Sequence, residues 1–209
     1  MTLRIFSSFL FISLLFLACT EDKQKRLPIY GEREVVEKDG KTDTIYHSIR
    51  DFTLLNQDSA EISNQYFDGK IYVANFFFTN CPTICPVTQQ NLKRVYEEFK
   101  NDDRINFVSH SVDFKYDSPA VLKEYAEKLG VSGNQWQFLS GSKRDIYQLS
   151  DDYLTLVQED ENAPGGYEHQ EYFILIDPDR QIRGAYNGTD MFQIKELIKD
   201  IPILMEEYK

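Results

Sequence analysis

Apolar residues fall along the chain in three kinds of pattern, and the first lies at its start. Residues 5–18 form an apolar run broken only by Ser7, Ser8 and Ser13 and preceded by a single basic residue, Arg4. A membrane-crossing helix needs about 20 apolar residues, whereas the hydrophobic part of a secretory leader needs about 7–15. The run therefore predicts an export leader over residues 1–18. Residues 19–30 follow as a tether, charged and without apolar period from Thr20 to about Leu27. The rest, 31–209, is expected to be one folded domain.

In that domain the second and third patterns, strand runs and helical spacings, alternate. Glu34-Val35-Val36 and Thr44-Ile45-Tyr46 flank the turn dipeptide Asp39-Gly40 and predict a β-hairpin. Residues 52–55 open a second short strand pair turning near Asp58-Ser59, and both pairs are expected to form an N-terminal extension. Residues 71–78, IYVANFFF, are a continuous apolar run of strand length, the pattern of a strand buried on both faces. Leu92, Val95, Tyr96 and Phe99 then recur at helical spacing and mark an amphipathic helix to about Lys100.

Residues 105–112 read as a strand. Ser118-Pro119 supplies an N-cap and a first helical residue, and Gly130 ends the helix that carries Leu122, Tyr125, Ala126 and Leu129. Residues 136–139 form a short strand, and Ser142 and Asp145 have the spacing of a capping box ahead of Ile146 and Leu149. Residues 172–176 are another apolar strand, turned by Asp177-Pro178-Asp179 into residues 181–186. A last helix opens near Thr189, carries Ile194, Leu197, Ile198 and Ile201, and is expected to kink or stop at Pro202. This order predicts an α/β fold with a mainly parallel sheet, covered by helices and closed by an antiparallel hairpin.

Composition narrows the function classes. With 209 residues, 42% of them hydrophobic, the chain can build one core and hardly two. Its 34 acidic against 23 basic residues give a net charge of −11 and no basic stripe, which excludes a nucleic-acid surface, because phosphate binding depends on clustered cations. Three cysteines are too few for a disulfide-dense scaffold, so each needs its own account. Cys19 stands where the leader would be cleaved. The stretch LLFLAC, Leu14 to Cys19, resembles a bacterial lipobox, whose cysteine is acylated and becomes the mature N-terminus. That resemblance implies an exported lipoprotein, held to a membrane through lipid on Cys19 and facing the periplasm or the cell exterior.

Cys81 and Cys85 lie in FTNCPTICP, at the carboxyl end of the buried strand and the start of the next helix, where α/β folds place their sites. A helix N-terminus offers unpaired N–H groups and partial positive charge, which favour a thiolate. A spacing of four puts both side chains on one face if the turn is helical, close enough to share a metal or close a disulfide. A structural disulfide is disfavoured, because so short a loop removes little entropy from the unfolded chain. The pair is then nucleophilic, oxidisable or metal-binding. Of the three histidines, His47 and His110 read as surface or packed residues. His169 is the candidate ligand: in a parallel fold the segment entering residues 172–176 can lie beside the cysteine loop, and Gly165-Gly166 frees the approaching backbone.

The segments FFFTNCPTICP and VTQQNLKRVYEEF, Ser111-Val112-Asp113 with Asp117-Ser118-Pro119, and HQEYFILIDPDRQIRGAYNG from His169 to Gly188 together resemble the Sco/SenC family of copper-binding proteins. The resemblance covers about residues 50–190. It implies a thioredoxin-like fold, here with an N-terminal β-hairpin extension, and one copper ion held by Cys81, Cys85 and His169. The chemistry agrees: two soft thiolates and an imidazole suit Cu(I) and also hold Cu(II). A disulfide lacks thiolate charge, so copper affinity and redox state are expected to be linked.

Two functions use these residues. The first is a copper chaperone that delivers copper to the dinuclear copper centre of a cytochrome c oxidase subunit, a partner implied by the resemblance. The second is a thiol-disulfide oxidoreductase that keeps that subunit's cysteines reduced, with Cys81 as attacking thiolate and Cys85 as resolving thiol. The three-residue spacer, where thioredoxins have two, speaks against the second. A peroxidase-like reading has no motif in its favour.

Overall fold

The computed structural model describes residues 26–38 and 40–209. Cys19, the leader and most of the tether lie outside the described residues. The order begins with the hairpin β1 (Arg33–Lys38) and β2 (Lys41–Tyr46), an antiparallel pair forming its own two-stranded sheet as the turn dipeptide predicts. Next come β3 (Thr53–Asn56), β4 (Glu61–Ser63), β5 (Ile71–Phe77), α1 (Cys85–Phe99), β6 (Ile105–Ser111) and α2 (Pro119–Leu129). They are followed by β7 (Trp136–Ser140), α3 (Lys143–Asp152), β8 (Val157–Glu159), β9 (Tyr167–His169), β10 (Tyr172–Ile176), β11 (Ile182–Asn187) and α4 (Met191–Glu207).

Seven strands form the main sheet in the order β11-β10-β5-β6-β7-β3-β4. Every residue of β5 and β6 is buried, which is why β5 reads as an apolar run without alternation, whereas β6 carries Asn106, Ser109, His110 and Ser111 into the interior. A fully buried phenylalanine such as Phe77 contributes on the order of 2–3 kcal/mol. Two of the polar exceptions, Asn75 and Ser109, are paired across the sheet: Trp136 Nε1 donates to Ser109 Oγ at 3.0 Å, and Ser109 donates to Asn75 Oδ1 at 2.6 Å. The expected caps are present in position. Ser142 Oγ accepts the Asp145 N–H, and Gly130 ends α2 in the left-handed region at φ 76°, a conformation with little cost only for glycine. Ser118 occupies the N-cap of α2 without a side-chain capping bond.

Three expectations change. The sheet is mixed: only β5–β6 and β6–β7 are parallel, whereas β10 runs antiparallel to β5 and β3 antiparallel to β7. After β7 the chain passes through α3 and a small β8–β9 hairpin and re-enters on the other side of β5, running against it. Second, β3 and β4 are not an extension but the edge of the main sheet. Leu54 and Ile62 enter the core, the Asn56 amide donates to Gln137 Oε1 at 2.8 Å, and Gln57 Oε1 accepts the Phe138 N–H at 2.9 Å. Third, α4 continues through Pro202 to Glu207. An interior proline costs about 3 kcal/mol, and burial of Leu204 and Met205 offsets it, at about 1.5–3 kcal/mol each. The helix end is also held by buried Arg183, which donates to Glu207 at 2.6 Å and to Asp177 at 3.0 Å. Arg183 also binds the Leu27 carbonyl, so the folded contacts already include Leu27.

Candidate metal centre

The polypeptide leaves β5 at Phe77 and turns through residues 78–84 before α1 opens at Cys85, with Pro86 in its first turn. The segment between the cysteines is therefore a turn, not a helix. The loop rather than a helical face brings the two sulfurs together, and Cys85, not Cys81, stands at the helix N-terminus. Cys81 and Cys85 are both free and buried, at 8% and 1% exposure.

His169 reaches them from the other side. Ile174 of β10 pairs with Ala74 and Ile176 with Tyr72, so the beginning of β10 lies at the carboxyl end of β5. The antiparallel direction, not a parallel one, puts the preceding β8–β9 hairpin beside the cysteine loop. That hairpin, unanticipated in the sequence, ends on His169, which pairs with Val157. Gly165 lets it approach: at φ 82° it occupies a region that other residues avoid, and a Cβ there would stand 2.6 Å from the Phe78 ring.

The Cys81 and Cys85 sulfurs and a His169 ring nitrogen all lie within 4.8 Å of one another. Bonds from a first-row metal to thiolate or imidazole are about 2.0–2.3 Å, so one ion can touch all three donors after movements of a few tenths of an ångström. His169 Nε2 stands 3.5 Å from Cys85 Sγ, and Nδ1 faces the Gln170 carbonyl at 3.4 Å. A proton on Nδ1 directed at that carbonyl leaves the Nε2 lone pair for the ion. Phe78 stands edge-on to His169 at 5.8 Å between ring centres and walls the small cavity, of about 140 Å³, that Cys81 and His169 line, with Cys85 buried behind it. The set is soft and compact, with both sulfurs buried and His169 partly exposed, which fits a thiophilic ion.

The two thiols are electrostatically unequal. Cys81 is pulled far below the ordinary thiol range, first by the Cys85 thiol donating toward it and then by His169 and the backbone N–H groups of Cys85 and Thr83, against burial. Cys85 is pushed up by its neighbour and by burial, since two adjacent sulfurs resist double ionisation. The helix N-terminus thus does not decide which thiol ionises. The other histidines lie elsewhere. His47 Nε2 meets the Asp152 carbonyl at 2.6 Å. His110 is fully buried in an aromatic nest that includes Phe76 and Tyr153, and neither ring nitrogen has a partner.

A supporting shell was not assigned from the sequence. Asp117 accepts hydrogen bonds from Thr79 and Ser111, and Asp113 accepts from the Tyr167 hydroxyl at 3.3 Å. Tyr167 in turn packs against Phe78 in a tilted arrangement, at 5.5 Å between ring centres. The β6–α2 connection therefore holds both the cysteine loop and the histidine hairpin. The usable signal was a pair of acidic residues directly after a buried strand, where unpaired carboxylates are not tolerated.

Similarity to known proteins follows the same lines. A crystal structure of a SCO1/SenC family lipoprotein from Bacillus anthracis is 32% identical and superposes with a TM-score of 0.70, over 76% of this chain and 95% of that one. BsSco, described as a member of the Sco family of cytochrome c oxidase assembly proteins with a disulfide switch, is 29% identical with a TM-score of 0.67, over 76% and 93%. Copper-bound ScoI from Bradyrhizobium japonicum shares the fold at 22% identity and a TM-score of 0.63, over 75% of this chain and 99% of that one. The mixed α/β architecture is thus the thioredoxin-like one of these structures, with the β1–β2 hairpin preceding it. A family model described as SCO1/SenC matches residues 40–206, nearly the whole folded region and every residue of the centre, and the chain belongs to that family.

Proposed function

We propose that this protein binds one copper ion through Cys81, Cys85 and His169 and delivers it to the dinuclear copper centre of a cytochrome c oxidase subunit. The observation that carries this reading is the approach of two sulfurs and one imidazole nitrogen to within 4.8 Å, from segments 84 residues apart in the chain. Copper in a relative and oxidase assembly in another support it. The copper is cargo: incoming thiolates of the recipient replace Cys81 or Cys85 one at a time, so the ion is never released to water. Delivery of this kind suits a site at the protein surface whose ligands come from a loop and a hairpin.

A second reading, a thiol-disulfide oxidoreductase acting on the recipient's cysteines, is favoured by the inequality of the thiols. An ionised Cys81 attacks, and the protonated Cys85 resolves the mixed disulfide. His169 separates the two. Under the chaperone reading, His169→Ala abolishes copper uptake and oxidase maturation together; maturation that persists without copper uptake favours the reductase.

The same proposal places the domain outside the cytoplasm, facing the periplasm or cell exterior, with residues 1–18 removed as a leader and Cys19 lipidated. The apolar run ending in Ala18-Cys19 supports this, as does the lipoprotein from Bacillus anthracis. Among the described residues no helix is long and apolar enough to cross a membrane. Cys19→Ser should release the protein from the membrane fraction, and continued tight association contradicts the anchor.

A further inference from the structure

We propose that the rim of the cysteine–histidine centre is a docking surface for a protein segment that carries its own cysteines among apolar residues and is flanked by lysine or arginine. The inference deepens the reading of this centre as one that exchanges ligands or disulfides with a partner's thiols.

The rim has two unlike halves. No charged residue lies between Lys70 and Lys93, so the cysteine loop and the first turns of α1, which follow the buried β5, form a charge-free lip. Its outward residues are Asn80, Pro82, Thr83, Pro86, Val87 and Gln90, with Val87 51% exposed and Ile84 partly buried beside them. The opposing half is acidic. No lysine or arginine lies between Arg144 and Arg180, and the β8–β9 hairpin with its exit carries Glu159, Asp160, Glu161, Glu168 and Glu171. The nearby cations Lys115 and Lys143 both pair with Glu159. Among the described residues no cation pairs with Asp160, Glu161, Glu168 or Glu171, and Glu168 and Glu171 line the cavity that contains Cys81 and His169.

These halves decide the partner's chemistry. With Cys81 8% exposed and Cys85 1%, a partner sulfur can reach bonding distance only if its segment lies directly across the rim. Bare thiolates approaching this hairpin meet carboxylates of the same sign. Flanking cations convert that repulsion into attraction, and an apolar surround of the partner's cysteines covers the uncharged lip without stranding a charge.

The test needs no copper, so it can fail while the copper reading stands, and the reverse. Two oxidised peptides are made, each with one internal Cys-x-x-x-Cys disulfide in the same apolar sequence. One is flanked by lysines and the other by glutamates. The reduced protein attacks through the Cys81 thiolate; the mixed disulfide is resolved by Cys85, giving a Cys81–Cys85 disulfide and the peptide dithiol. At about 10 mM salt the lysine peptide should be reduced at least tenfold faster, and the ratio should fall toward unity near 1 M salt as the charges are screened. The double variant Glu161→Lys, Glu168→Lys should reduce or invert the low-salt ratio. Equal rates, a faster glutamate peptide, no reaction with either peptide, or an unchanged ratio in the variant would each overturn the proposal.

Discussion

Asp117 holds Thr79 twice, its Oδ2 accepting the Thr79 backbone N–H at 3.0 Å and its Oδ1 accepting the hydroxyl at 2.5 Å. Thr79 stands two residues before Cys81, and Asp117 stands two residues before the first residue of α2. The position of the first sulfur is therefore held from a neighbouring connection as well as by the loop's own Cys81 N–H bond to the Phe78 carbonyl at 3.4 Å. Burial raises the Asp117 carboxyl, and the hydrogen bonds from Ser111 and Thr79 oppose that rise.

Removing the carboxylate strands these buried donors. Asp117→Ala should cost about 3 kcal/mol of stability, and Asp117→Asn less, because the amide keeps one acceptor. Urea denaturation of the reduced protein measures both. An unchanged midpoint for Asp117→Ala would contradict the anchoring role.

Gly165 and Gly166 both have positive φ, but only Gly165 faces a ring. Gly165→Ala should displace the hairpin from Phe78 and weaken copper binding at least tenfold with every ligand intact. Gly166→Ala meets nothing within 4 Å, and backbone strain alone should cost about 1 kcal/mol of stability with little effect on copper. Equal effects in a copper competition assay would show that the close approach to Phe78 is not what positions His169.

Copper uptake should release a proton. Cys81 is already ionised in the free protein, whereas the raised Cys85 thiol keeps its proton at neutral pH and must lose it to ligate. Apparent affinity should therefore rise about tenfold for each pH unit between roughly pH 6 and 8. A chelator competition with known protonation constants reads this slope, and a flat profile would argue against a proton on Cys85.

His110 supplies an acid limit on stability. Burial pushes its imidazole down to about 3, below the 6.5 of an unperturbed histidine. The unfolded chain therefore binds a proton that the folded one excludes. Stability contributed by the neutral ring is complete above pH 6.5 and is lost as pH falls toward 3, by up to about 1.4 kcal/mol per pH unit. His110→Phe should flatten this slope between pH 6 and 4; an unchanged slope would assign the acid sensitivity to other groups.

Much of the fold was legible because its signals were local. The apolar runs at β5 and β10, the Ser142 cap and the Gly130 stop each depend on a few neighbouring residues. Sheet direction was not legible: nothing in Tyr172 to Ile176 says whether it runs with β5 or against it, and that choice depends on how the chain returns from β7. The β8–β9 hairpin was missed because its strands are three residues each and polar outside Val157 and Tyr167. Continuation of α4 past Pro202 depends on Arg183 and the buried Leu204 and Met205, contacts that no local penalty for proline contains. The two cysteines were singled out by their motif, and His169 by its place within a family resemblance. Asp113 and Asp117 stood in the same resemblance without a role, since their partners Tyr167 and Thr79 are distant in the chain.

The central claim is that two sulfurs and one imidazole form a single copper site. The direct measurement is anaerobic titration of the fully reduced protein with Cu(I) against a competing chelator, alongside Cys81→Ser, Cys85→Ser and His169→Ala. The account predicts one tightly bound equivalent per chain, at least a hundredfold weaker binding in each cysteine variant and clear weakening in His169→Ala. Absence of tight binding by the unaltered protein, or one equivalent retained at full affinity in any of the three variants, would contradict it.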